Sequence, residues 1–167
     1  MVLTTSELVA SLQNEVRILL HLASKIDRST LDYRPSPKQR STMDLLRYLS
    51  IMGPQMVGAA KGGFDRAAWM AAKEAADARD FDQTLAAIAA HADLYPTLLA
   101  DMSDADLRSE MDGMDGRKTT RGAFIVNLVL SGYAAYRMQL FLYLKANGRE
   151  ELSTMNLWGG VDAPVAV

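Results

Sequence analysis

The chain contains no cysteine, which excludes disulfides, thiolate metal sites, a cysteine nucleophile and thiol redox chemistry carried by the protein itself. That absence fits a cytoplasmic location. Histidine is nearly as scarce. The two present, His21 and His91, stand in neither HExxH nor ExxH spacing, and two imidazoles supply at most two of the three or four ligands expected of zinc. An excess of one charge is also missing. Eighteen basic against twenty acidic residues give a net charge of −2, so there is no broad electrostatic footprint for nucleic acid and no such partner is expected. No apolar run reaches the ~18 residues of a membrane span. Even "GAFIVNLVLSGYAAY" is interrupted by Asn127, Ser131 and Gly132, and the opening "MVLTTSELVASLQNEVRILLHL" has no basic region leading to a cleavage site. Neither a membrane nor a signal peptide is expected.

The common enzyme signatures are missing too: there is no P-loop, dinucleotide fingerprint or GxSxG elbow. "DGMDG" lacks the ligand spacing and terminal glutamate of an EF-hand loop. Asp104 and Asp106 fit a helix start and Asp112 and Asp115 an exposed loop, roles that capping and solvation explain.

What the chain does have is helical periodicity. At 167 residues, 49% hydrophobic and 23% charged, it suits one domain (1–167) that buries roughly 70% of its unfolded surface. Thr4 and Glu7 are spaced as a capping box ahead of Leu8, Leu12, Val16, Leu19 and Leu22, predicting helix one over about residues 5–26. A proline-containing connection follows, with Leu31 and Tyr33 as its anchors. Ser41 and Asp44 open helix two, 42–60, in which Gly53–Pro54 should kink rather than end the helix. Residues 65–78 form a short extra helix anchored by Trp69. Asp80 and Gln83 cap a long helix three, bent near Pro96, and Thr119 or Thr120 caps helix four, 121–147, which Asn147 and Gly148 stop. The loop "MDGMDGRKTT" reads as exposed turns. The tail 151–167 is too apolar to be merely solvated, so Leu157 and Trp158 dock on the bundle or on a dimer partner. The expectation is an all-α four-helix bundle with one extra short helix between helices two and three.

A uniform period places Ile125, Leu128/Val129, Gly132, Tyr136, Gln139/Leu140 and Tyr143 on the inner face of helix four. Tyr48 faces inward from helix two, and Gly132 leaves a gap beside it. Met52, Gln55, Arg137 and Gln139 complete a candidate pocket. Tyrosine also fills core space with its hydroxyl satisfied. Arg137 either binds an anion or pairs with an acid, and the sequence leaves both open.

"LDYRPSPKQRSTMDLLRYLS" (31–50) followed by "YAAYRMQLFLYLKANG" (133–148) resembles the DinB/YfiT-like superfamily of four-helix-bundle metalloenzymes. Its second helix carries a pattern near "eLlrHl" and its last one near "HxxxHRgQlxxyLrxxG". The resemblance implies a divalent metal held by one histidine from helix two and two from helix four. Those positions fall on Tyr48, Gly132 and Tyr136 here, while Arg137, Gln139, Leu140, Leu144 and Gly148 keep the frame. Glycine offers no side-chain ligand, and a neutral phenol with a pKa near ~10 replaces imidazole poorly. The expectation is therefore a divergent member without the family metal and with no other cofactor. It would be a homodimer that binds a small molecule or partner rather than an enzyme. The alternative is a thiol-dependent transferase or hydrolase with an atypical or metal-free site, whose catalytic residues the sequence does not name.

Overall fold

The structure, a computed structural model, describes residues 3–164. Helix α1 (Thr5–Ala23) begins at the Thr4/Glu7 capping box, and its apolar stripe of Leu8, Leu12, Val16, Leu19 and Leu22 is buried. It stops earlier than the periodicity predicts. Lys25 and Ile26 bond back to Leu22 and Ala23 at 3.0 and 3.2 Å, the tighter three-residue closure that ends many helices. The connection is ordered as expected: Tyr33 and Leu31 accept backbone bonds from Thr42 and Met43, both at 2.9 Å.

Helix α2 (Thr42–Gly62) packs against most of the later helices and runs through Pro54 without ending. Short helix α3 (Arg66–Asp77) is capped by Asp65 and lies on α2. The long third helix is two segments, α4 (Phe81–Ala89) and α5 (His91–Leu99), interrupted at Ala90 and not at Pro96. Proline lacks the N–H that would reach the Ala92 carbonyl; Gln13 of α1 donates to that carbonyl at 2.8 Å. The helix thus continues past Pro96.

The Asp/Gly loop is more regular than its sequence suggests. β1 (Glu110–Asp112) pairs antiparallel with β2 (Lys118–Thr120), with Met111 opposite Thr119, around a turn in which Gly116 has φ +76°. Thr120 then caps α6 (Arg121–Ile125), followed by a π-helical segment (Val126–Leu130) and α7 (Ser131–Ala146). These three form one rod, ending at Asn147 with Gly148 at φ +90°. The described part of the tail lies on α1. Leu152, Asn156 and Leu157 are buried, and Arg17 donates to the Gly159 and Gly160 carbonyls at 2.9 and 3.2 Å. Leu157 is buried as expected, whereas Trp158 is 62% exposed and covers Arg137 with its ring.

In the core, Tyr95 and Tyr133 bring their hydroxyls against the backbone of α2 at Gly53. A methyl group there would stand 1.9 Å from the Tyr95 oxygen and 2.7 Å from that of Tyr133. Alanine normally gains ~1 kcal/mol over glycine inside a helix. Gly53→Ala is expected to do the reverse and destabilise by about 3 kcal/mol through overpacking. A urea midpoint equal to or above that of the wild type would show that the two tyrosines do not occupy this space.

Candidate functional site

The α2 and α7 backbones bring Tyr48 and Tyr136 into edge-to-face contact, with ring centroids 5.0 Å apart and planes at 67°. Trp69 of α3 meets the other side of Tyr48 at 6.0 Å. The Arg40 guanidinium lies over the Tyr48 ring at 4.0 Å and reaches Tyr136 at 5.8 Å. Burial first, then the adjacent Tyr136, push the Tyr48 phenol above its ordinary range, so it is neutral at physiological pH. Beside this cluster, on the α3 side, opens a groove of about 290 Å³ lined by Arg40, Arg47, Tyr48, Ile51, Trp69 and Lys73 together with Asp44 and Asp77.

Gly132 does not leave an empty gap. The Met52 methyl lies 3.1 Å from where a Cβ at 132 would stand, and its sulfur 3.4 Å. Tyr48, Gly132 and Tyr136 therefore offer two phenols, no third side chain, and a thioether in the remaining space. That donor set does not fit a divalent ion held by imidazoles. Among the described residues no group of three or more histidine, aspartate or glutamate side chains is gathered to hold a metal.

The remaining expected pocket residues are dispersed. Arg137 is 2% exposed and turns away from Tyr136 to pair with Glu15 of α1, under the Trp158 ring whose centroid is 5.4 Å from its guanidinium carbon. Burial raises the Glu15 carboxyl and lowers Arg137, each opposed by the partner's charge. Gln139 donates to the Tyr143 hydroxyl at 2.5 Å, which in turn donates to the Arg40 carbonyl at 3.0 Å. Gln55 lines a separate, shallow groove with Ser50, Pro54 and His91. Of the seven named positions, the structure joins Tyr48 to Tyr136 and Met52 to Gly132.

The π-helical segment explains why Arg137 leaves the Tyr48 side. Its wider turn, seen where the Ser131 hydroxyl donates to the Val126 carbonyl five residues back at 3.1 Å, advances the buried face by about one residue relative to an unbroken 3.6-residue period. The buried positions after it are Tyr133, Arg137, Leu140, Tyr143 and Leu144; Tyr133 and Arg137 stand in place of Gly132 and Tyr136, while Leu140 and Tyr143 are buried as expected.

Tyr133 belongs to a buried polar chain that the sequence does not announce. Pro54 removes the N–H that would bond the Ser50 carbonyl; His91 Nε2 lies 3.0 Å from that oxygen. A carbonyl only accepts, so the proton is on Nε2. His91 Nδ1 then accepts from the Tyr133 hydroxyl at 3.0 Å, and Tyr133 accepts from Tyr95 at 2.6 Å. A proline four residues after a buried carbonyl is the one clue in the sequence. His21, the other histidine, meets Asn156 of the tail at 3.1 Å.

Burial pushes His91 down from the usual 6.5 to about 4, the Ser50 bond opposing the shift. The folded protein thus binds this proton less readily than the unfolded chain. Its contribution to stability is complete above about pH 6.5 and is lost as pH falls toward about 4, in total roughly 3 kcal/mol. Urea titrations at pH 7 and pH 4.5 are expected to show a larger acid loss in the wild type than in His91→Gln. Equal losses would mean that His91 is not held neutral.

No family model matches this chain, and no curated protein does. Among solved structures it is similar to a DinB-like protein, YjoA of Bacillus subtilis. The match has a TM-score of 0.65 at 18% identity and covers 87% of this chain and 94% of that one. In architecture, this chain is a DinB-like four-helix bundle.

Proposed function

We propose that this is a cytoplasmic, metal-independent member of the DinB-like superfamily that binds a small molecule at the Tyr48 end of the bundle. The carrying observation is how the family's ligand positions are filled. Tyr48 and Tyr136 pack edge to face, and Met52 covers Gly132. Tyr48 still borders a groove of ligand size between α2 and α3. The fold is compatible with many activities, so the reading rests on these residues and not on architecture. An enzymatic role would draw on Tyr48, Tyr136 and Arg137 around one cavity, but Arg137 is committed to Glu15. This favours binding over catalysis.

Metal content of tag-free protein grown with zinc, nickel and manganese is the test, measured by plasma mass spectrometry. Far less than one ion per chain is expected. A near-stoichiometric ion, lost on replacing Tyr48 and Tyr136 with phenylalanine, would overturn the reading.

The proposed assembly is a homodimer, since α7 leaves Met138 and Leu142 exposed on its outer side, and symmetric dimers are the commonest oligomers. Light scattering is expected to give a dimer mass for the wild type and a monomer mass for Leu142→Glu. A monomeric wild type removes the proposal.

A further inference from the structure

We infer that the Tyr48 groove takes a planar aromatic carboxylate, its ring against the Tyr48–Trp69 wall and its carboxylate on Arg40; this rests on the metal-independent binding role proposed above. Size sets the first limit. About 290 Å³ lies at the small end of ligand sites, suited to a compound of one or two rings.

The wall sets the second. Tyr48 and Trp69 stand at 65° to one another with Ile51 beside them. A flat ring can stack on one of these side chains while meeting the edge of the other, the two favoured aromatic geometries. A bulky saturated ring matches neither.

The third limit is charge, where the lining groups differ in what already occupies them. The Asp44 carboxylate accepts from the Ser41 backbone N–H and pairs with Arg34, both at 3.3 Å. Asp77 is paired with Lys73. Arg47 gives two N–H groups to the Arg79 carbonyl, at 3.0 and 2.6 Å. Arg40 alone of these has no carboxylate or hydrogen-bond acceptor for its guanidinium among the described residues; it is exposed and lies flat on Tyr48. Its backbone is nevertheless fixed, because its carbonyl accepts from Tyr143. A guanidinium so placed presents a fork of donors matched to a carboxylate. The two acidic groups at the rim disfavour a ligand of higher negative charge, so the anion carries a single charge.

Calorimetric titration with benzoate, benzamide and cyclohexanecarboxylate separates the contributions of charge and ring. Benzoate is expected to bind roughly tenfold or more tightly than benzamide, the range of a charge-assisted hydrogen bond, and Arg40→Gln to lose a similar factor. Arg117→Gln removes the same charge from the exposed hairpin and should bind as the wild type does. In Trp158→Phe protein, benzoate should change the fluorescence of the remaining Trp69. Equal binding of benzamide, or an unaffected Arg40→Gln, overturns the anion assignment. Cyclohexanecarboxylate binding as tightly as benzoate overturns the aromatic one. If none of the three binds to protein that carries no metal, the ligand class is wrong while metal independence stands. Stoichiometric metal instead refutes the underlying role.

Discussion

The bundle depends on one constraint, that a buried carbonyl deprived of its helical N–H must find another donor. Leaving such a group unpaired costs about 1–3 kcal/mol. Pro54 creates this need at Ser50 and Pro96 creates it at Ala92. In both cases a side chain from a neighbouring helix answers, His91 Nε2 at 3.0 Å and Gln13 at 2.8 Å. Each proline therefore becomes a tie between helices, α5 to α2 and α1 to α5. The His91 tie extends further, because fixing the proton on Nε2 makes Nδ1 an acceptor and thereby orients Tyr133 and Tyr95. Gly53 permits this close approach of two hydroxyls to the α2 backbone.

A second polar group is buried one turn further along the same face of α7, where Arg137 and Glu15 pair beneath Trp158. Such a pair gains little net stability, since desolvating both charges offsets their attraction. Removing either partner leaves the other buried and uncompensated, so the pair constrains which residues these positions accept. The Arg137 Nε has no hydrogen-bond partner among the described residues. With the buried face of α7 held by the Tyr133 chain and by Arg137, Tyr136 stands to one side of that face at half-burial, beside Tyr48.

Local signals were legible in the sequence wherever the physics was local. The capping boxes at Thr4, Ser41 and Asp80 form as their spacing implies, and Gly148 ends the last helix with positive φ. The hairpin was not legible, because three-residue strands of Glu-Met-Asp and Lys-Thr-Thr carry almost no alternating pattern. The π-helical segment was also invisible, since one extra residue per turn changes no residue type. It shifts the first turns of α7, which is why an unbroken period put Gly132 and Tyr136 on the inner face instead of Tyr133 and Arg137, although Leu140 and Tyr143 are buried as that period implies.

The sequence by itself determined that the chain is a helical bundle and where most of its helices begin and end, because periodicity, caps and residue chemistry act over a few neighbouring positions. Only the tertiary structure decided how Tyr48, Gly132, Tyr136 and Arg137 are surrounded. Whether Gly132 opens a pocket depends on Met52 from another helix. Whether Arg137 is available depends on Glu15, 122 positions away in the chain. The available guanidinium is that of Arg40, singled out because packing gives its charged neighbours hydrogen-bond partners and leaves it on the Tyr48 ring with no acceptor among the described residues.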